Sequence, residues 1–128
     1  MSKQILALED DYDLLRLYNR WLTKAGYLID SARTLEEARQ FLHENDYLVF
    51  LCDMHVGSSS SVSLLRQEWA HLKESGTKVI IISGQEQYRT MTADLDIDFF
   101  LSKPVSAHDL ILYMSRIIGL QSAGMRQG

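Results

Sequence analysis

Three short runs of unbroken apolar residues stand out along the chain: Ile5-Leu6-Ala7-Leu8, Tyr47 to Cys52, and Val79-Ile80-Ile81-Ile82. Runs this short and this uniformly apolar predict strands buried on both faces, as in a parallel sheet covered by helices. Tyr27 to Asp30 and Ile97 to Leu101 predict two more strands. Between the strands the apolar period lengthens to that of a helix. Leu14, Leu17, Tyr18, Trp21, Leu22 and Ala25 share one face, and Gly26 supplies the stop. Thr34-Leu35-Glu36-Glu37 matches a capping box and opens a helix that turns Leu35, Ala38, Phe41 and Leu42 inward. Val62 to Lys73 predicts a helix with Val62, Leu65 and Trp69 inward, and Glu86 to Ala93 a short, weakly amphipathic one. Ser106 to Asp109 caps a last helix that sets Leu110, Ile111, Met114, Ile117 and Ile118 against the sheet. Met54 to Ser61, with four consecutive serines, is expected to be a loop.

Five strands alternating with five helices predict an α/β fold, a doubly wound five-stranded parallel sheet, because a right-handed crossover returns the next strand parallel through a helix. The carboxyl ends of the strands then lie along one edge. In open α/β sheets that edge is where ligands bind. Glu9, Asp10, Asp53, Ser83 and Lys103 all follow directly on strands, so they are expected to converge there.

Composition narrows the setting. With 128 residues, 46% apolar and 23% charged, the chain has the make-up of one ordinary globular domain and needs no disulfide or structural metal. A formal charge of -4 gives no electrostatic reason for direct nucleic-acid binding. The lone cysteine, Cys52, lies in an apolar run and reads as a small buried hydrophobe in a reducing compartment, so a cytoplasmic location is expected. Met1 to Asp11, a brief apolar run before three acids, is expected to be neither a signal peptide nor a membrane span. Residues 1–120 are expected to form the domain, and 121–128 a polar tail or the start of a linker.

Three carboxylates drawn together repel by about 4 kcal/mol per close pair at an intermediate effective dielectric. Lys103 offers one compensating charge; a hard, oxygen-bound Mg²⁺ would serve better. Neutralising Asp10 or Asp53 should correspondingly stabilise the metal-free fold. A divalent ion, an exposed carboxylate nucleophile, an ammonium and a hydroxyl are what phosphoryl transfer demands, with Asp53 attacking to form an aspartyl phosphate. Taken alone, Asp53 could equally end a strand or cap a turn.

From Lys3 to about Gly119 the chain resembles the receiver domain of two-component response regulators. Ile5 to Asp11 is similar to the family's opening strand with its acidic pair, Glu9 and Asp10. Asp53 matches the phosphoacceptor, Ser83 the conserved hydroxyl, Phe100 the switch aromatic, and Lys103-Pro104 the Lys-Pro pair. The resemblance implies a flavodoxin-like (βα)5 fold with strand order 2-1-3-4-5. It implies Mg²⁺ held by Glu9, Asp10, Asp53 and the backbone carbonyl of His55. Ser83 and Lys103 would hold the phosphoryl oxygens. The donor would be a histidine kinase or histidine phosphotransfer protein. Such a domain catalyses its own phosphorylation and dephosphorylation and is not an independent enzyme. Its fourth helix, fifth strand and last helix would form the surface for an output partner or a homodimer, with no nucleic acid or membrane bound directly.

The chain departs from the family pattern in several places. Glu9 is one methylene longer than the commoner Asp. Gly57 stands where Pro is usual and Ser61 where Gly is usual, so the loop after Asp53 should take another path. The interval from Ser83 to Lys103 is short, which predicts a reduced fourth helix. The His55 side chain is expected to be an exposed loop group, since no second His or Cys stands at ligand spacing. Its place two after the acceptor resembles one that tunes phosphoryl lifetime, Gln85 being the matching position after Ser83. His43, His71 and His108 are expected on the surface without partners. A phosphatase of the aspartate-nucleophile type would want an acid where His55 stands, and a flavin carrier would want a phosphate loop where Glu9-Asp10-Asp11 stands. The alternative that survives is a phosphorylation-independent interaction module on the same scaffold.

Overall fold

A computed structural model describes the backbone of residues 4–127 and the side chains of residues 4–119. Five strands, β1 (Ile5–Leu8), β2 (Ile29–Ala32), β3 (Val49–Asp53), β4 (Lys78–Ser83) and β5 (Phe99–Ser102), form one sheet. All neighbours are parallel and the order is β2-β1-β3-β4-β5, as expected for a flavodoxin-like fold. The helices are α1 (Tyr12–Lys24), α2 (Leu35–Glu44), α3 (Val62–Glu74), α4 (Gln87–Met91) and α5 (Ala107–Gln127).

The period of two along each strand sorts the core into two layers. Leu6, Leu8, Phe50, Cys52, Val79 and Ile81 pack with α2 and α3, while Ile5, Ala7, Val49, Leu51, Ile80 and Ile82 pack with α1 and α5. The three inner strands are apolar between their ends because both of their faces are covered.

Several elements sit differently from their expected positions. β2 begins two residues later, because Leu28 is taken up in hydrogen bonds with Gln4 and Ile5 that lead the strand in. Likewise β3 begins at Val49; Tyr47 is buried just before it, where its hydroxyl donates to Asp30 Oδ2 at 2.7 Å. On α1 the buried residues are Leu15, Tyr18 and Leu22, and Leu17 and Ala25 are exposed. The sheet-facing stripe is thus rotated by about one residue from the one expected. On α3 the deepest residues are Leu64, Leu65 and Leu72, with Val62 and Trp69 only partly covered.

The serine loop contains a short antiparallel ribbon, His55–Val56 against Ser59–Ser60, turned through Gly57 at φ +64°. A side chain there would be strained, which accounts for glycine at the turn. The fourth helix is only five residues long, as the short interval predicted. Gly119 does not stop the last helix, whose backbone runs on to Gln127. Side chains of the expected tail from Gln121, and all of Met1 to Lys3, lie outside the described residues. Among the described residues, no helix is long and apolar enough to cross a membrane.

Candidate phosphoacceptor site

Sheet register assembles the site. Leu8 pairs with Cys52, so Glu9 follows into the row occupied by Asp53, Ile82 and Leu101. Glu9 and Asp53 continue the alternation of Ala7 and Leu51 and lie on the α1–α5 side. Lys103 lies two residues past Leu101 with the same parity, and its long side chain reaches back to the row. Its Nζ stands 3.0 Å from Glu9 Oε1 and 3.3 Å from Asp53 Oδ1. Ser83 and Phe100 have the opposite parity.

Glu9 and Asp53 are buried, Asp53 contrary to the exposed nucleophile expected, because the sheet edge is roofed by Lys103 and the loop after β3; carboxylates are seldom buried without partners. Glu9 Oε2 accepts the Asp11 N–H at 3.2 Å, and Asp53 Oδ1 the His55 N–H at 3.3 Å. Asp53 Oδ2 and Glu9 Oε1 accept no hydrogen bond among the described residues, Glu9 Oε1 having only the Lys103 ammonium as an ion-pair neighbour. One carboxylate oxygen from each of Glu9, Asp10 and Asp53 lies within 4.8 Å of the others. Burial, reinforced by the neighbouring Asp53 carboxylate, raises the Glu9 pKa to about 7. Burial also works against the Lys103 ammonium, but Glu9 and Asp53 more than offset it and its pKa is raised.

Asp10 behaves differently. Partial burial works to raise its pKa, yet the Gly57 N–H, donated to Oδ2 at 2.7 Å, together with Glu9 and Lys103, holds it below the ordinary value. The same bond ties the ribbon loop to the acidic corner. Ser61 is fully buried, and its hydroxyl donates to the Asp53 carbonyl at 2.5 Å. The Gly57 and Ser61 departures therefore bring new attachments for the loop after Asp53.

Ser83 does not join the acidic group in this state. Its hydroxyl donates to the Gln85 carbonyl at 3.3 Å and accepts the Gln85 N–H at 3.0 Å. Its carbonyl accepts the Lys103 N–H at 3.1 Å, so the two residues are neighbours through the backbone. Phe100 is half-buried, with the Arg89 guanidinium 4.7 Å above its ring.

Two participants at the site were not foreseen. Tyr18 places a buried hydroxyl without a partner among the described residues, and burial, with the charges of Glu9 and Asp53, drives its pKa up. The one sequence signal was a hydroxyl-bearing side chain on an otherwise apolar helix face. Tyr88, buried on α4, reaches His55: its hydroxyl and His55 Nδ1 are hydrogen-bonded at 2.9 Å. His55 is exposed as expected, but it is not free. His43, expected to lack a partner, holds the buried Glu68 carboxylate at 2.8 Å across α2 and α3, and His71 stands 3.8 Å from Asp46. An open groove of about 730 Å³ lies apart from this chemistry, on the side of α1 lined by Tyr12, Arg16, Arg20 and Arg33.

The family profile described as "Response regulator receiver domain" matches residues 5–115. The chain is 25% identical over 119 residues to transcriptional regulatory protein GltR of Pseudomonas aeruginosa, covering 91% of this chain and 49% of that protein. It is 23% identical over 118 residues to transcriptional regulatory protein SrrA of Staphylococcus aureus, covering 92% and 48%. The chain thus spans about half the length of these curated relatives. Among solved structures, a CheY-like response regulator receiver domain protein from Methanospirillum hungatei superposes with a TM-score of 0.84 at 24% identity, over 97% of this chain and 99% of that one. Response regulator TrrA of Thermotoga maritima, solved with Mg²⁺ and BeF, gives 0.78 at 22% identity, over 90% and 98%. With the profile covering most of its length, the chain belongs to the response regulator receiver domains of two-component systems.

Proposed function

We propose that Asp53 accepts a phosphoryl group from the phosphohistidine of a histidine kinase or histidine phosphotransfer protein, and that this changes the surface offered to a partner. The observation that carries the reading is the Asp53 carboxylate itself. It is 1% exposed at the end of a rigid strand, and Oδ2 accepts no hydrogen bond among the described residues. A buried polar atom left this way costs stability, and such costs persist where function uses them.

The donor set fits a hard cation. Three carboxylates offer oxygens within 4.8 Å of one another, two of the three residues buried, and oxygen ligands are what Mg²⁺ takes. Glu9, Asp10, Asp53 and the His55 carbonyl would hold it. When bound, Mg²⁺ supplies neutralisation of the carboxylates and of the transferring phosphoryl group.

The chain's own residues do the rest. One Asp53 oxygen attacks phosphorus as the P–N bond of the phosphohistidine breaks, and the imidazole leaves with the electron pair and takes up a proton. The Lys103 ammonium, 3.3 Å from Asp53 Oδ1, stands where it can meet the phosphoryl oxygens. Ser83 leaves its long bond to the Gln85 carbonyl, 3.3 Å, for a charge-assisted one to the phosphoryl group. Phe100 shares the face of the sheet with Ser83 and follows it inward, remodelling the α4, β5 and α5 surface for an output partner or a second copy. In this reading residues 1–120 are the phosphoacceptor unit, 121–128, helical as far as Gln127, begin a tail or linker, and the setting is the cytoplasm.

The test is intact mass after incubation with acetyl phosphate. One phosphoryl group should appear with Mg²⁺ present, be absent with EDTA, and be absent from Asp53→Asn. Equal uptake by Asp53→Asn would overturn the assignment. No uptake by the native chain would favour the phosphorylation-independent module.

A further inference from the structure

We infer that Tyr88 is a positioning residue for this site: by bonding His55 it fixes the loop peptide that faces Asp53 and makes the short helix α4 a direct neighbour of the site's state. The inference rests on the proposed role of Asp53 and adds a residue to it.

Three contacts in series carry the argument. The His55 N–H donates to Asp53 Oδ1 at 3.3 Å. His55 Nδ1 and the Tyr88 hydroxyl are bonded at 2.9 Å, with the two rings edge to face at 72° and 5.8 Å between centroids. Tyr88 in turn is 5% exposed, and its carbonyl accepts both the N–H (3.1 Å) and the hydroxyl (2.6 Å) of buried Thr92. The tyrosine is therefore anchored in the core, and the histidine, otherwise an exposed loop side chain, is held at its imidazole. Holding the imidazole restricts the rotation of the His55 peptide. Residue 55 presents its N–H to Asp53 and, in the proposed function, its carbonyl to the ion, so its orientation bears on both.

The neighbouring residue shows why this matters beyond the loop. Arg89 lies over Phe100, so adjacent positions of one five-residue helix touch the acceptor loop and the fifth strand. An element this short has few hydrogen bonds of its own and follows its side-chain attachments. By linkage, whatever Tyr88 contributes to the site's affinity for an occupant, the occupant returns to α4 as a shift of the same size.

The experiment uses the 128-residue chain with Tyr88→Phe, which keeps the ring and its packing and removes only the bond. The Mg²⁺ dissociation constant, read by calorimetry, should rise about threefold to tenfold, the range that one neutral hydrogen bond accounts for. In a His55→Ala background the same change should have no further effect. In the native chain, the ¹⁵N resonance of His55 Nδ1 should move when beryllofluoride and Mg²⁺ are added, a signature that needs no variant. Unchanged Mg²⁺ affinity in a folded Tyr88→Phe, additive effects in the double variant, or an unmoved Nδ1 resonance would each overturn the inference. If the native chain itself bound no Mg²⁺, the underlying reading of Asp53 would fail with it. Tight native binding with an indifferent Tyr88→Phe would sink the inference alone.

Discussion

At the scale of single residues, the three carboxylates are not equivalent. Glu9 is fully buried with a pKa raised to about 7 from an ordinary 4.5, whereas Asp10 is held below its ordinary value by the Gly57 N–H. The sign for Glu9 follows from proton counting. Between pH 4.5 and about 7 the folded chain keeps a proton that the unfolded chain has lost, so metal-free stability falls as pH rises through that window. Glu9→Gln should flatten the fall and raise the metal-free melting temperature at pH 8 by several degrees, a gain on the order of 2 kcal/mol. Asp10→Asn should give no such gain, contrary to the expectation from repulsion alone, because its carboxylate is already accepting a short bond. Thermal melts in EDTA at pH 5 and pH 8 check both; a Glu9→Gln chain with the native pH dependence would contradict the account. The identities of Glu9, Asp10, Asp53 and Lys103 were legible in the sequence because each stands at or just past the carboxyl end of a strand. Their inequivalence was not, because it depends on a backbone N–H contributed by Gly57, 47 residues away.

At the scale of elements, the pairing of His43 with Glu68 shows where periodicity stops being informative. A glutamate on the buried face of α3 looks like a break in the apolar stripe, and a histidine late in α2 looks solvated; only their contact at 2.8 Å explains both. Removing the histidine leaves a buried carboxylate without its partner, so His43→Ala should cost about 1–3 kcal/mol. His71→Ala, at an exposed contact of 3.8 Å, should cost close to nothing. Urea unfolding of the two variants separates them, and equal effects would mean that the α2–α3 contact carries no weight. The capping box, by contrast, was fully local and could be read directly: Glu37 N–H donates to Thr34 Oγ1 at 3.1 Å, and Glu37 Oε1 accepts the Arg33 N–H at 3.1 Å. Strand starts were misplaced by about two residues because hydrogen bonding from Gln4, Asp30 and Thr77, all distant in sequence, decides where pairing begins.

At the scale of the whole molecule, the sheet works as a ruler. Strand parity puts Glu9, Asp53 and Lys103 on one side, and Ser83 and Phe100 on the other, so the proposed acceptor and the proposed readout occupy opposite faces of the same strand ends. Moving Ser83 toward a phosphoryl group trades a neutral bond for a charge-assisted one worth about 1.5–3 kcal/mol, enough for a tenfold to hundredfold shift in population and no new fold. Phe100 must then leave the Arg89 guanidinium, so Arg89→Met should favour the inward ring even without phosphorylation. Chemical shifts of Phe100 in the two chains, with and without beryllofluoride, report that balance; identical populations would exclude Arg89 from it. All of this depends on where the phosphoryl group is attached. The most direct measurement is therefore borohydride trapping of the chain after acetyl phosphate and Mg²⁺ treatment, followed by peptide mapping of the reduced residue. The account predicts a single reduced site, Asp53; reduction at Glu9, Asp10 or any other carboxylate, with Asp53 intact, would contradict it.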